Sequence, residues 1–124
     1  MSFEKTNVNP KGLKVSDCVF RAIASAFNIT WEEAYDKLCS IGRETKCSPN
    51  ESLAYEQLLK DYDKISVMHE TPKGKKRYTI QEICKWKGIY LVRVANHLAC
   101  VKNGKLIDTW DCSNKSSYKI WKIK

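Results

Sequence analysis

Cys18 occupies the position in this sequence that most favours chemistry. It follows Asp17, a residue suited to the amino-terminal cap of a helix, and precedes the apolar pair Val19 and Phe20, so a helix is predicted to begin there. A cysteine in the first turn of a helix lies at the positive end of the helix dipole, which lowers the pKa of its thiol and favours the nucleophilic thiolate. Most cysteines in such positions are packing residues, so Cys18 indicates catalysis only if a base lies beside it.

A histidine and a carboxylate are predicted to share one face of a β-hairpin near the carboxyl end. Asn103 and Gly104 both tolerate the positive φ angles of a type I′ turn and form a strong hairpin signal. A two-residue loop at this point places His97 opposite Trp110 and makes Asp108 the diagonal neighbour of His97. The hairpin therefore predicts a His-Asp pair with a tryptophan beside it.

Asp108 is the better candidate for orienting the imidazole. From its diagonal position it can accept a hydrogen bond from one ring nitrogen of His97, which fixes the tautomer and stabilises the imidazolium. Asp111 is predicted to point to the opposite face. Cys112 would share the face of His97 if the pairing extended that far, which makes it a candidate competing thiol. Without these roles, His97 would be a partly buried strand histidine and Asp108 a solvated carboxylate.

The order of these residues resembles that of the papain-like cysteine peptidase superfamily, and in particular its compact bacterial and phage-encoded members. Residues 17–22, DCVFRA, are similar to the start of the family's nucleophile helix. Residues 96–101, NHLACV, resemble its histidine strand, and residues 108–110, DTW, resemble its Asn-x-Trp element. The resemblance covers the first and last thirds of the chain, whereas residues 41–87 match no part of the family.

This resemblance implies a single papain-like cysteine peptidase domain over residues 1–124. It implies that Cys18 attacks an amide carbonyl, that His97 transfers protons and that Asp108 orients His97. Trp110 would shield the hydrogen bond between His97 and Asp108 from water. The implied activity is hydrolysis of a peptide or isopeptide-like amide through an acyl-enzyme thioester, with a protein or peptide as substrate and no cofactor.

The side-chain donor of the oxyanion hole departs from the family pattern. The family has a glutamine six residues before its cysteine, whereas this chain has Gly12 there and no glutamine before Cys18. Asn9, or else Asn7, is the candidate substitute, with the backbone amide of Cys18 as the second donor. Removing one such donor typically costs about 100-fold or more in rate, so this position bears directly on whether the protein is active.

Two other functions fit the same residues. A transamidase or deamidase would form the same thioester and resolve it with an amine, or with water on a side-chain amide. A catalytically silent papain-like module would instead bind a partner protein through its basic surface, and the missing glutamine favours this alternative. All three functions use or retain Cys18, His97 and Asp108, so they stay open at this point.

The overall composition indicates one globular domain with a basic surface. Of the 124 residues, 43% are hydrophobic and 29% are charged, and the formal net charge is +8. The densest basic run, KGKKR at 73–77, has no interleaved aromatic residues, which disfavours binding of single-stranded nucleic acid. No segment has the apolar length of a signal peptide or a membrane span, so we expect a cytoplasmic protein without a membrane partner.

The six cysteines are predicted to be thiols. A chain of this length needs no disulfide scaffold, and a reducing compartment disfavours disulfides. No Cys-x-x-Cys pair is present, so neither a structural zinc site nor another metal is expected. We interpret four cysteines as small hydrophobic residues: Cys39, Cys47, Cys84 and Cys100. His69 is predicted to be exposed to solvent.

The pattern of elements predicts an α+β fold in which amino-terminal helices pack on a carboxy-terminal antiparallel sheet. Three capping boxes, each a Ser or Thr followed three residues later by Glu, predict helix starts at Thr30, Ser48 and Thr79. Gly42 and Gly88 are predicted to end the first and the third of these helices. The remaining predicted elements are a helix at 17–27 and strands at 89–102, 105–111 and 118–123.

Overall fold

The structure is a computed structural model that describes residues 2–124. These residues form four helices and eight strands, which confirms the predicted α+β class. The helices are α1 (Cys18–Phe27), α2 (Trp31–Thr45), α3 (Ser52–Leu58) and α4 (Ile80–Ile83). The strands are β1 (Ser2–Lys5), β2 (Asp63–Ile65), β3 (Met68–Thr71), β4 (Gly74–Arg77), β5 (Ile89–Val94), β6 (His97–Lys102), β7 (Lys105–Asp108) and β8 (Lys119–Lys122).

Six of the strands form one mixed sheet in the order β1-β7-β6-β5-β8-β2. β1 pairs with β7 in parallel, with Lys5 opposite Asp108, and the other neighbours are antiparallel. The Thr6 amide extends this pairing by donating to the backbone carbonyl of Asp108 at 2.8 Å. The prediction of an antiparallel sheet is therefore wrong at this edge, because β1 has no hairpin partner close to it in sequence. β3 and β4 form a separate two-stranded ribbon.

Helices cover both faces of the six-stranded sheet. On one face, Leu91, Leu98 and Trp121 pack against residues of α1, α2 and α3. On the other face, Val92 packs with the apolar residues of α4. Because side chains alternate along each strand, the central strands β5 and β6 are buried on both sides. His97 is the first residue of β6, so it lies at one end of a buried central strand.

The hairpin between β6 and β7 forms at the predicted turn. Asn103 and Gly104 have φ angles of 52° and 84°, as a type I′ turn requires. Lys102 pairs with Lys105 on either side of them, which confirms the two-residue loop.

The ladder of this hairpin is shorter than predicted. It ends at the pair Cys100–Ile107, and β7 ends at Asp108. The predicted pairing of His97 with Trp110 is therefore wrong, because Trp110 follows the end of the strand. The side chains of His97 and Trp110 can still come into contact, because the loop after β7 carries Trp110 towards His97.

The single strand predicted at 89–102 is also wrong, since a turn divides it into β5 and β6. Val94 pairs with His97 across the two-residue turn of Ala95 and Asn96, and Asn96 has a φ angle of 54°. Asparagine is one of the few residues that adopt this left-handed conformation at low cost. The turn fixes His97 as the first residue of β6.

Two of the three predicted capping boxes are present. The hydroxyls of Thr30 and Thr79 each accept a hydrogen bond from an amide in the first turn, and the glutamate of each box accepts from the cap amide. Ser48 does not cap a helix: the Glu51 amide donates to the Ser48 carbonyl, which closes a turn, and Glu51 itself precedes α3.

The helix ends differ from the prediction more than the starts do. α2 continues past Gly42 and ends where Lys46 adopts a φ angle of 60°. At Gly42 the glycine serves close packing instead, since a Cβ atom there would lie 2.7 Å from the carbonyl oxygen of Cys47. α4 has only four residues and ends well before Gly88.

All six cysteines are thiols, as predicted. The buried ones are Cys84, Cys100 and Cys112, and the partly exposed ones are Cys18, Cys39 and Cys47. Within the described residues, no helix has both the length and the apolar character that crossing a bilayer requires.

Candidate active site

Cys18 is the first residue of α1 and opens onto a cleft of about 330 Å³. The cleft is lined by Cys18 and Tyr55 from the helices and by Arg93, His97 and Leu98 from the strands. Cys18 is partly exposed, so a ligand in the cleft can reach its sulfur. The structure therefore brings the predicted nucleophile and the predicted base to the same cleft.

His97 makes a short hydrogen bond to the carboxylate that was predicted to orient it. Its Nε2 atom lies 2.6 Å from Oδ2 of Asp108, and the two side chains are only 8% and 3% exposed. A bond of this length between buried groups is typical of a charge-assisted interaction. Because Nε2 is engaged by Asp108, Nδ1 is the ring nitrogen left to exchange a proton with Cys18.

Both oxygens of Asp108 have defined partners. Oδ1 accepts from the backbone amide of Thr109 at 2.7 Å and from Nη1 of Arg21 at 3.1 Å, whereas Oδ2 accepts from His97. Burial raises the pKa of the Asp108 carboxyl, but the interactions with His97, the Thr109 amide and Arg21 outweigh burial and lower it. Asp108 is therefore an anion, the form that stabilises an imidazolium.

Arg21 is a member of the site that the sequence analysis missed. Its Nε donates to Oδ1 of Asp17 at 2.7 Å, one helical turn earlier, while its Nη1 reaches Asp108. Asp17 also accepts from Nε1 of Trp31 at 3.0 Å. The i,i+4 spacing of Asp17 and Arg21 was the available signal, but it does not reveal that the guanidinium also reaches β7.

The side chains of Asp17 and Asn9 are hydrogen-bonded to each other. Asp17 precedes α1 as expected, but its side chain makes no capping hydrogen bond, because its oxygens accept from Arg21, Trp31 and Asn9. The Nδ2 group of Asn9 donates to Asp17 at 3.0 Å. Asn9 does not line the cleft of Cys18, and its role as the oxyanion donor stays a prediction; its observed contact holds Asp17, the residue before Cys18.

Other groups supply the donors around Cys18. Asn7 does not replace Asn9, since its Nδ2 donates to the carbonyl of Leu13 at 3.1 Å. The backbone amide of Cys18 lies at the start of α1, where amides have no partner within the helix. The polar side chains that line the cleft with a hydrogen-bond donor include those of Ser16, Asn50 and Asn96.

Trp110 lies against His97, although it is not its strand partner. The two rings meet edge to face, with centroids 5.3 Å apart and an angle of 61° between the planes. Trp110 is 44% exposed, whereas His97 and Asp108 are nearly buried. The indole therefore covers part of the His97 ring. Trp110 also lines a second cleft, of about 340 Å³, together with Leu13 and Val15.

The surroundings favour a thiolate on Cys18 and an imidazolium on His97. Burial raises the pKa of the Cys18 thiol, but interaction with His97 and with the backbone of Leu98 outweighs burial and lowers it from its usual 9.0. Burial also opposes the charge of His97, whereas the bond to Asp108 raises the pKa of the imidazole above its usual 6.5. The two shifts together favour an ion pair at neutral pH.

A second thiol lies close to the His97–Asp108 pair. Cys112 is fully buried, and its sulfur is 3.9 Å from Oδ2 of Asp108. The ligand atoms of His97, Asp108 and Cys112 all lie within 4.8 Å of one another, so these three residues could hold a metal ion. The sequence placed Cys112 on the face of His97, and the loop after β7 brings it there instead of the ladder.

Two other residues considered from the sequence lie elsewhere. Asp111 is exposed and accepts a hydrogen bond from the Ser113 amide at 3.0 Å. His69 is partly buried and not exposed as predicted, because its ring stacks on Tyr78 at 4.1 Å and its Nε2 lies 3.6 Å from Glu82. Neither residue lines the cleft of Cys18.

Comparison with known proteins does not identify a family: no family model, curated protein or solved structure matches the chain. The resemblance to papain-like peptidases therefore stays a prediction made from short motifs. Function is therefore inferred from the arrangement of Cys18, His97 and Asp108.

Proposed function

We propose that this protein is a cysteine hydrolase, papain-like in arrangement, that cleaves a peptide or isopeptide-like amide. The observation that carries the proposal is the 2.6 Å bond from Asp108 to His97, which lines one cleft together with Cys18. A nucleophile, a base and a carboxylate that orients the base are the side chains that acyl transfer through a thioester uses. Six thiols suit a reducing compartment, and we place the protein in the cytoplasm.

Acylation begins with the Cys18 thiolate in this proposal. Its sulfur attacks the amide carbon, and an electron pair of the carbonyl moves to the oxygen. The His97 imidazolium then donates its Nδ1 proton to the departing nitrogen as the C–N bond breaks, which leaves a thioester and a neutral imidazole. Asp108 keeps its bond to Nε2 and orients the ring through both states.

Deacylation reverses the role of His97. The neutral imidazole takes a proton from a water molecule as that water attacks the thioester carbon. The C–S bond breaks, the carboxylic acid product leaves, and Cys18 returns to the thiolate beside the imidazolium. Trp110 supports this cycle by covering the ring of His97, which limits competition by water for its bond to Asp108.

Stabilisation of the oxyanion relies on the start of α1. The backbone amide of Cys18 and the positive end of the helix dipole both favour negative charge at this position. The hydroxyl of Ser16 lines the same cleft and is the side-chain donor closest to Cys18 in sequence. Asn9 donates one N–H to Asp17 and does not line this cleft.

The engagement of Asn9 favours a second candidate function, a papain-like module that binds a partner protein without catalysis. Loss of a side-chain oxyanion donor typically costs about 100-fold or more in rate. The net charge of +8 would suit an acidic partner. A transamidase would resolve the same thioester with an amine, whereas a deamidase would resolve it with water but attack a side-chain amide.

Thiol labelling tests for the proposed thiolate–imidazolium pair. The folded, reduced protein is treated with limiting iodoacetamide at neutral pH, and each cysteine is quantified by peptide mass spectrometry. Cys18 is expected to react about tenfold or more faster than Cys39 and Cys47, the other partly exposed thiols. His97→Ala is expected to slow the alkylation of Cys18 and to leave the alkylation rates of Cys39 and Cys47 unchanged. Equal labelling of all three thiols would overturn the proposed enzyme.

A peptide library separates hydrolysis from the two alternatives. A hydrolase is expected to generate cleaved peptides that incorporate oxygen from labelled water, and Cys18→Ala should abolish them. Cys39→Ala, the matched control on α2, should retain cleavage. Amine adducts of uncleaved peptides would support a transamidase. A reactive Cys18 with no processed peptide would support the binding module.

A further inference from the structure

Three ligand atoms beside the proposed catalytic pair converge on one buried point. Oδ2 of Asp108 is 2.6 Å from Nε2 of His97 and 3.9 Å from the sulfur of Cys112. Asp108 and Cys112 are 4% and 0% exposed, so neither group is one of the solvated side chains that often cluster at a surface. Imidazole, carboxylate and thiolate are the three types of ligand that zinc takes in proteins.

We propose that His97, Asp108 and Cys112 bind one zinc ion, with a water molecule in the fourth position. At zinc–ligand distances of about 2.0–2.3 Å, tetrahedral ligand atoms lie about 3.4–3.6 Å apart. The Nε2–Oδ2 distance would widen by about 1 Å to admit the ion, and the distance from sulfur to Oδ2 would shorten slightly. Side-chain rotation supplies such shifts, because His97 directly follows a turn and Cys112 lies in the loop after β7.

The surroundings of Asp108 suit a metal ligand. Oδ1 is held by the Thr109 amide at 2.7 Å and by Arg21 at 3.1 Å, which leaves Oδ2 directed at His97 and Cys112. Carboxylates that bind zinc are themselves hydrogen-bonded in this manner. The carboxylate and the Cys112 thiolate together balance the two positive charges of the ion.

Metal binding at this point would release two protons. One leaves the Cys112 thiol as the S–Zn bond forms, and the other leaves Nε2 of the His97 imidazolium as the N–Zn bond forms; both pass to solvent. His97 would keep one proton, on Nδ1, and could no longer accept the proton that deacylation requires. Zinc would therefore act as a reversible inhibitor, a consequence that rests on the proposed function, whereas the metal site itself does not.

Metal titration of the reduced, full-length chain tests the site. After treatment with a chelator, Co²⁺ is added while sulfur-to-cobalt charge-transfer absorption is followed, and Zn²⁺ affinity is then measured by competition. One equivalent is expected to bind, with a single sulfur ligand by X-ray absorption. Cys112→Ser is expected to weaken binding by about 100-fold or more, since even changes outside the ligand shell cost 10–100-fold. Cys100→Ser, at another buried thiol, is the matched control and should bind as wild type.

The Cys18→Ser variant distinguishes the proposed ligand set from an alternative in which Cys18 and His97 hold the metal. It is expected to retain full binding, and loss of binding in this variant would overturn the proposed ligand set. Absence of binding by the folded wild type, or a metal without a sulfur ligand, would overturn it as well. If Cys112→Ser does not fold, a single sulfur ligand in the wild type together with full binding by Cys18→Ser decides the question. Tight binding in a protein whose Cys18 proves unreactive would support the zinc site and remove only its inhibitory role.

Discussion

Arg21 lies between two buried carboxylates, with Nη1 3.1 Å from Oδ1 of Asp108 and Nε 2.7 Å from Oδ1 of Asp17. Its side chain is only 11% exposed, so water screens these interactions weakly. Cys18 lies on α1 and Asp108 lies on β7. Arg21 links these two elements at a point close to both residues. An ion pair that takes no direct part in the proposed chemistry therefore links the helix that begins at Cys18 to Asp108.

Removing the guanidinium would leave two buried carboxylates without their cation. Arg21→Gln is expected to lower the free energy of unfolding by about 3–5 kcal/mol, the usual cost of breaking a buried ion pair from one side. Urea denaturation measures this change. Arg43→Gln, at an exposed position in the last turn of α2, should change it by less than about 0.5 kcal/mol. A similar, small effect of both substitutions would contradict a structural role for Arg21.

Asp108→Asn keeps the shape of the orienting residue and removes its charge. Because Asp108 is the group that most raises the pKa of His97, the imidazolium and its partner thiolate should both become less stable. At a pH below the pKa of the thiol, alkylation of Cys18 should slow by about tenfold for each unit by which that pKa rises. Asp111→Asn is the matched control, since Asp111 is exposed and bonded to Ser113, and it should leave the rate unchanged. Equal rates for both variants would argue against Asp108 as the orienting residue.

The lowered pKa of Cys18 predicts the pH dependence of its alkylation. Only the thiolate reacts, so the rate should stay near its maximum as pH falls below 9.0 and should decline only through the lowered pKa. His97→Ala removes the cation and should move the decline back towards 9.0. The measurement is the second-order rate constant for Cys18 at each pH, with urea-unfolded protein as the reference. A folded profile that coincides with the unfolded one would refute the shift.

Asp17 and Asp108 predict a loss of stability in acid. Burial raises the pKa of each carboxyl, but hydrogen bonds and charges outweigh it, so both folded-state pKa values lie below 3.8. The unfolded chain then binds protons first, so the stabilisation is complete above 3.8 and is lost as pH falls through the folded-state values. Asp17→Asn should reduce the slope of the free energy of unfolding against pH in this range. Urea denaturation between about pH 2 and pH 5 measures the slope, and an unchanged slope would exclude Asp17 as its source.

Asn96 determines where β6 begins, because its φ angle of 54° closes the turn before His97. Asn96→Gly should preserve stability and Cys18 reactivity, since glycine adopts this conformation without strain. Asn96→Val should lower the free energy of unfolding by about 1–3 kcal/mol, the cost of a branched residue in the left-handed region, and should slow alkylation of Cys18 by displacing His97. Denaturation and labelling of the two variants check this. If valine were tolerated as well as glycine, the turn would not control the position of His97.

Local signals made part of this site predictable. The pair Asn103 and Gly104 specifies its turn by backbone preference alone, which was enough to place His97 and Asp108 near one another. Cys18 could be placed at a helix start because apolar residues recur after it with the period of a helix. These features depend on a few neighbouring residues, which a sequence displays directly.

The remaining features depend on contacts that are distant in sequence. Arg21 reaches Asp108 across 87 positions, and no local pattern specifies that contact. Asn9 has the donor type needed for an oxyanion hole, but it donates to the buried carboxylate of Asp17 and does not line the cleft of Cys18. The turn at Asn96 was hidden because apolar and β-branched residues lie on both sides of it and suggest one long strand.

The parallel pairing of β1 with β7 constrains the order in which the protein can fold during synthesis. Residues 2–5 are made early but have no strand to join until residues 105–108 have been made. Until residue 97 has been made, Cys18 lacks His97, the side chain that most lowers its pKa. The arrangement of Cys18, His97 and Asp108 is therefore complete only once β7 lies between β1 and β6.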